Sequence, residues 1–177
     1  MLLTGNTLAA IERRLMLAPV HDPVHRATYT FEPDGENLWV ETRLEPGGAL
    51  PPHLHPHQEE HWSVLEGSVR FQLGSDKRVI GPADGTILVA PHTKHGIEST
   101  GAQTHLRCHV VPALDLQEFL TESAAAAREG LFMRGGIPRS LRGARWAASF
   151  LKKHRDNVVM TFPPRFVQSA MIALLGR

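Results

Sequence analysis

The sequence is poor in cysteine, in long apolar runs and in net charge, and each of these absences excludes a class of protein. A single cysteine, Cys108, excludes an intrachain disulfide framework, and no run of about 18 apolar residues predicts a transmembrane helix. The net charge is only +1, which argues against a strongly basic nucleic-acid-binding protein. The first 20 residues lack the basic start of a secretory signal peptide, so we expect a cytoplasmic location.

The small net charge is the sum of two unlike parts. Residues 1–127 contain 9 basic and 16 acidic side chains, for a net charge of −7, whereas residues 128–177 contain 10 basic and 2 acidic ones, for +8. We expect the basic helices to pack on the acidic barrel, within one chain or across a dimer. A minor alternative places the last helix on a membrane surface, and no nucleic-acid contact is expected because no recognised motif is present.

Apolar and polar residues alternate with a period of two through the middle of the chain, and turns rich in glycine and proline separate the alternating segments. The pattern predicts strands at 37–45, 62–65, 69–73, 77–80, 86–90 and 104–111, of which 86–90 reads as a fully buried strand. Many short strands with frequent turns are typical of an antiparallel sandwich or barrel. We therefore expect an all-β domain over residues 25–112, after an N-terminal segment, 1–24, in which residues 7–17 suit a short helix.

The spacing of apolar residues becomes helical after Pro112. Asp115 and Glu118 predict a capping box at the start of one helix, and Gly130 suits the stop at its end. Two further helices are predicted, from 140 to about 154 and from 165 to 175. Residues 113–177 are therefore expected to form a basic α-helical extension.

Histidine is concentrated in one part of the chain, since eight of the 11 lie in residues 53–109. His53 and His55 are two residues apart and point to the same face of an extended segment, so both imidazoles can reach one ion. Glu60 begins the next strand, and His95 approaches from a neighbouring one. Three neutral imidazoles and one carboxylate suit a divalent transition metal. An octahedral ion with four protein ligands keeps two positions open for water, substrate or dioxygen, as a reactive site requires.

The other histidines of this region compete with the proposed ligands. His57 and His61 are expected at the solvent-exposed rim, because a metal site through His57 would have a shorter spacing to the glutamate. His92 is a candidate for a supporting position beside the ligands. His105 and His109 share one face of the last strand, and that face lines the pocket or lies outside, depending on the register.

The ligands stand at fixed distances from two glycines, in the pattern Gly47-(x5)-His53-x-His55-(x4)-Glu60-(x6)-Gly67. This pattern matches every position of the first cupin motif, and the sequence resembles the cupin superfamily over residues 35–111. The second motif is degenerate, because His95 comes one residue early after Gly85 and Pro91. Placing Asp84 and Ala90 at the glycine and proline positions restores the spacing.

The resemblance implies a double-stranded β-helix (jelly-roll) barrel with the ion inside its open end, and frequent homodimers. It implies no single reaction, because a fold does not determine a function. We favour an oxygenase or dioxygenase acting on a small organic molecule, with iron preferred to zinc, manganese or nickel and with Glu60 also available as a catalytic base. The alternatives are a non-redox metal-dependent lyase, isomerase or decarboxylase, and a non-catalytic metal-dependent binding protein.

Overall fold

A computed structural model describes residues 18–176 of the chain as two antiparallel sheets followed by three helices. The strands are β1 (Val20–Asp22), β2 (Ala27–Asp34), β3 (Asn37–Leu44), β4 (Ala49–Leu54), β5 (Glu59–Glu66), β6 (Val69–Leu73), β7 (Asp76–Ile80), β8 (Thr86–Val89), β9 (His95–Ser99), β10 (Thr104–Val111), β11 (Phe132–Met133), β12 (Ile137–Pro138) and β13 (Val159–Met160). The helices are α1 (Leu116–Arg128), α2 (Leu141–Lys153) and α3 (Arg165–Leu175). The helix predicted at 7–17 lies outside the described residues.

The two sheets form a jelly-roll barrel. The six-stranded sheet has the order β1-β2-β3-β10-β5-β8, and the five-stranded sheet has the order β13-β4-β9-β6-β7. The short strands β11 and β12 pair only with each other. The predicted all-β fold with a C-terminal helical extension is therefore confirmed. Within residues 18–176 no helix has the length and apolar character that a membrane span needs.

Alternating side chains fill the space between the sheets, because successive residues of a strand point to opposite faces. The buried positions of β3 are Leu38, Val40, Thr42 and Leu44, and those of its neighbour β10 are Thr104, His105, Leu106, Cys108 and Val110. Leu106, Cys108 and Val110 point into the core, which settles the choice that the sequence left open for β10, and Cys108 is a buried free thiol.

The strand β8 differs from its prediction. It was expected to be fully buried, but only Ile87 and Val89 are buried, whereas Thr86 and Leu88 are exposed. The reason is its place at the edge of the six-stranded sheet, where it pairs with β5 alone. A run of apolar residues therefore does not by itself show that both faces of a strand are buried.

The helix α1 begins after Asp115 without the predicted capping box. Asp115 makes no side-chain cap hydrogen bond and instead accepts one from Nδ1 of His154. Glu118 accepts a hydrogen bond from Nζ of Lys153 at 2.9 Å. Tertiary partners have therefore replaced the local cap. Gly130, with φ of +70°, ends the helix as predicted, because glycine adopts this conformation without a steric cost.

Strand pairing and hydrogen bonds from side chains to backbone carbonyls attach the helical region to the barrel. The strand β13 pairs with β4, so the five-stranded sheet takes its outer strand from the C-terminal region. Arg128 donates to the carbonyl of His21 at 2.6 Å, and Arg134 donates to that of Gly47 at 3.1 Å. The sheets therefore include residues on both sides of the predicted 25–112 boundaries, since β1 also precedes residue 25.

The charges of the helical region meet within that region. Lys153 of α2 forms ion pairs with Glu118 and Glu122 of α1, at 2.9 and 2.6 Å. His154 lies between the carboxylates of Asp115 and Glu122 and is almost fully buried. Among residues 18–176, no ion pair joins residues 128–176 to a strand of the barrel. The ion pairs of residues 128–176 therefore lie within the helical region and its flanking turns.

We expect substitution Phe31→Ala to lower the free energy of unfolding by about 3–5 kcal/mol, because the ring of Phe31 is buried between the sheets and its loss leaves a cavity. Urea titration followed by circular dichroism measures the change. The exposed side chain of Val79 provides the control, since Val79→Ala is expected to change stability by less than about 0.5 kcal/mol. Equal effects of the two substitutions would contradict the described core.

Candidate metal centre

Two paired strands and the start of a third bring the predicted ligands together. His53 in β4 lies directly opposite His95 in β9. His55 follows the end of β4, and Glu60 is the second residue of β5. The prolines at 51–52 precede His53, and the register of β4 against β9 shifts there, because proline has no N–H for the ladder.

The three histidines surround one point. One potential ligand atom from each lies within 4.8 Å of the other two. The centroid of the His53 ring is 4.2 Å from that of His95 and 4.9 Å from that of His55, and the His55 and His95 centroids are 5.4 Å apart. His55 and His95 are buried and His53 is half-buried. Three imidazoles this close in a buried place suit a single metal ion.

Each of the three imidazoles is held by a backbone carbonyl. Nδ1–H of His53 donates to Pro51 at 2.7 Å, that of His55 to Asn157 at 2.8 Å, and that of His95 to Thr93 at 3.1 Å. A carbonyl only accepts, so each Nδ1 carries the proton, and Nε2 is left to coordinate. Hydrogen bonding of the second ring nitrogen is the usual way in which proteins orient metal-ligating histidines.

The Nε2 atoms of His55 and His95 are buried and have no hydrogen-bond partner. Both lie near the carboxylate of Glu60, at 3.2 and 2.8 Å, but not with hydrogen-bond geometry. Buried polar atoms nearly always form a hydrogen bond. Two buried nitrogens that face one carboxylate without a hydrogen bond therefore indicate that a further partner binds there. A divalent metal ion fits this donor set, because imidazole nitrogen and carboxylate oxygen are its common ligands.

Glu60 lies beside the three histidines but is not part of the group whose atoms are all within 4.8 Å. The indole Nε1–H of Trp62 donates to its Oε2 at 2.9 Å and fixes the orientation of the carboxylate. Oε1 has no such donor and faces Nε2 of His55. The assignment of Glu60 as the fourth ligand stays a prediction.

Burial and neighbouring charges set the protonation of the cluster. Burial, together with His95 and His55, lowers the pKa of His53 well below its usual range. Burial also acts to lower the pKa of His55, but the adjacent Glu60 carboxylate raises it overall. Burial acts to raise the pKa of Glu60, yet His55 and His95 hold it well below its usual range. Glu60 is therefore ionised and His53 neutral, which are the forms that bind a cation.

Comparison with known proteins assigns the barrel to a family. The family model described as "Cupin domain" matches residues 40–112. The crystal structure of an RmlC-like cupin from Shewanella frigidimarina has the same fold, with a TM-score of 0.50 and 19% identity over 56% of this chain and 86% of that one. Residues 40–112 form a cupin domain.

Two curated relatives of the cupin domain have different activities. An oxidoreductase from Arthrobotrys oligospora is 25% identical over 103 residues, which are 54% of this chain and 41% of the relative. A mannose-1-phosphate guanylyltransferase from Salmonella typhimurium is 30% identical over 84 residues, which are 46% of this chain and 17% of the relative. The chain thus spans less than half the length of the curated relatives that it matches.

The remaining histidines of the cupin domain lie away from the cluster. His57 is exposed, and His61 turns outward to Glu59, as predicted for both. The side chain of His92 is also exposed, so the supporting position considered for it is wrong, and only its backbone N–H contacts the carbonyl of His55. His105 and His109 are on the outer face of β10, where they bind Glu41 and Asp34.

A cavity of about 200 Å³ adjoins the cluster. His53, His55 and Glu60 form part of its wall, together with Trp62 inside the barrel. The helices α1 and α2 provide much of the opposite wall, which is apolar. A group held at the cluster would therefore face a cavity large enough for a small molecule.

Sequence reasoning missed the part that the helical region plays in the centre. Asn157, whose carbonyl holds His55, is 102 residues away from it in the chain and belongs to no recognisable motif. Trp62 is buried in the core, and its indole also orients Glu60. The contact of Trp62 with Glu60 was open to prediction, because residues two apart in a strand share a face.

We expect His53→Ala to abolish metal binding, because one of three converging imidazoles is lost. After dialysis against zinc chloride and removal of free ion, plasma emission spectrometry should find about one zinc per chain in the unsubstituted protein and almost none in the variant. His57→Ala, which removes an exposed imidazole four residues away, is the control and should keep its zinc. Full zinc retention by His53→Ala would refute the ligand set.

We expect Trp62→Phe to weaken zinc binding by about 10- to 100-fold, because the carboxylate of Glu60 loses the donor that orients it. Competition with a chromogenic chelator measures the affinity. Trp39→Phe is the matched control, since the indole of Trp39 stacks on His109 on the outer face of the sheet. An unchanged affinity in Trp62→Phe would show that the indole does not support the metal centre.

Proposed function

We propose that the chain is a metal-dependent enzyme that acts on a small organic molecule, and that its reaction is an oxygenation. The observation that carries the proposal is the pair of buried, partnerless Nε2 atoms of His55 and His95 beside the Glu60 carboxylate, because His55 and Glu60 also line a cavity. A purely structural metal site would have no reason to adjoin a cavity, whereas a reactive one needs room for a substrate.

The residues of the centre have separate tasks in this proposal. His53, His55 and His95 hold the ion, and an iron ion held there would supply redox chemistry with dioxygen. Glu60 adds a negative charge that partly neutralises the ion. Its Oε2 is engaged by Trp62, so Oε1 is the atom available to take a proton from a substrate. The apolar wall excludes water from the reacting molecule.

The comparisons support the redox assignment only through the Arthrobotrys oligospora relative, whose name is oxidoreductase. A non-redox lyase, isomerase or decarboxylase with zinc or manganese would use the same residues to polarise a carbonyl. A binding protein without catalysis would use them to retain a ligand. The cytoplasmic location and the homodimer stay predictions from the sequence.

The test begins with the metal content of protein purified without added metal. We expect this protein to contain iron. We also expect an oxygen electrode to record dioxygen uptake when the iron-loaded protein is mixed with members of a panel of small phenols and enolisable ketones. Glu60→Gln should lose most of the uptake, because an amide neither neutralises the ion nor accepts a proton. The control is His61→Ala, which removes the adjacent, outward-facing imidazole and should preserve the activity.

Two results would overturn the oxygenase. Turnover in anaerobic buffer by the zinc- or manganese-loaded protein would establish the non-redox enzyme. Tight retention of a panel compound without turnover under any metal would establish the binding protein.

A further inference from the structure

The cavity beside the cupin metal centre has two walls of different origin. Tyr29, Val40 and Trp62 contribute to the wall inside the barrel. Phe119 of α1 and Phe150 of α2 contribute to the wall that faces it. A ligand at the metal centre would therefore lie between the sheet and the helices, and the helical region completes its site.

The lining of the cavity is poor in charge. Among residues 18–176, no lysine or arginine lines it, and its one carboxylate is Glu60 at the metal centre. The only lining histidine outside the cluster is His25, whose Nδ1 is already engaged by Asp22 at 2.8 Å. A phosphate or a second carboxylate away from the metal would be buried without a cationic partner, which is costly. The cavity thus disfavours sugar phosphates, nucleotides and dicarboxylic acids.

Aromatic rings form a connected group on the helical side of the cavity. The Trp146 ring stacks on Phe150 with centroids 4.5 Å apart, and Phe150 lies 4.8 Å from Phe119. Phe132 of β11 meets Trp146 edge to face at 5.5 Å. All four rings also line the cavity. Such rings attract another aromatic ring in stacked or edge-to-face contact.

Away from the metal centre, the hydroxyl of Thr42 in the barrel wall has no hydrogen-bond partner. Thr42 is fully buried in β3, lines the cavity, and its hydroxyl makes no hydrogen bond. It lies opposite Tyr29 of β2 and Leu106 of β10, and Val64 of β5 is the next residue in the same row. Glu60 is four residues from Val64, so Thr42 is about 13 Å along the sheet from the row of the metal centre. The hydroxyl suits one uncharged polar group at the far end of a ligand.

We propose that the cavity binds a compact aromatic molecule of one or two rings that carries a single metal-binding oxygen group and no second charge. This inference rests on the proposed function, because it takes the metal centre as the anchor of the ligand. The size is consistent, since an apolar cavity of about 150 Å³ binds benzene and this one has about 200 Å³.

Two naphthalene acids test the ligand class with one difference between them. 2-Naphthoate has a single carboxylate, and naphthalene-2,6-dicarboxylate adds a second one at the far end of the same rings. We expect isothermal titration calorimetry to show that the zinc-loaded full chain binds 2-naphthoate about 100-fold more tightly, or more, than it binds naphthalene-2,6-dicarboxylate. Equal affinities, or tighter binding of the dicarboxylate, would overturn the proposed ligand class.

A matched pair of variants tests the place of binding. Ala147 of α2 lines the cavity, and Ala147→Phe should weaken the binding of 2-naphthoate by about tenfold or more, because the new ring occupies the space. Ser149, two residues further along the helix, is exposed, and Ser149→Phe adds a similar ring outside the cavity. We expect it to leave the affinity unchanged. Equal effects of the two substitutions would overturn the proposed place of binding.

Zinc content, measured on the same samples, separates the two proposals. If the unsubstituted chain binds no zinc, or if His53→Ala keeps its zinc, the proposed function itself is contradicted. A chain that binds one zinc but does not distinguish the two acids contradicts the ligand class alone. Equal binding of 2-naphthoate by the zinc-loaded and zinc-free chains would contradict the anchoring at the metal.

Discussion

The hydrogen bonds from three imidazole Nδ1–H groups to backbone carbonyls are the constraint on which the site depends. Because a carbonyl cannot donate, these bonds place the proton of His53, His55 and His95 on Nδ1 and leave Nε2 for a metal. Two of the carbonyls, at Pro51 and Thr93, are only two residues from the histidine that they hold. The third belongs to Asn157, so the cluster is complete only when the C-terminal region is in place.

The Asn157 contact is supported by the packing of the helices. The backbone N–H of Asn157 donates to the carbonyl of His154 at 2.9 Å, just after the end of α2. His154 is itself held between Asp115 and Glu122 of α1. The turn that carries the Asn157 carbonyl is therefore anchored by buried imidazole–carboxylate contacts, and β13 follows directly and pairs with β4. The helical region is in this way a structural part of the metal centre.

The same helices decide the character of the cavity. A barrel with an open end would offer its metal ligands to water and to polar solutes. Here Phe119, Trp146 and Phe150 cover that space with an aromatic surface, and no cationic side chain from residues 18–176 enters it. Lys153 of α2 forms ion pairs with Glu118 and Glu122 of α1, so these charges meet within the helical region. Apolar contact and backbone hydrogen bonds hold the helices to the sheets.

Short-range rules predicted the antiparallel β domain and the shared face of His53 and His55, whereas the jelly-roll barrel and the place of His95 followed from the resemblance to cupins. Strand alternation has a period of two, and the spacing from Gly47 to Glu60 specifies which side chains share a face. The edge position of β8, the contact of Asp115 with His154 in place of a cap, and the support of His55 by Asn157 became visible in the folded chain alone. Each of these depends on residues far apart in the chain, and their contact is set by packing, for which local spacing carries no signal.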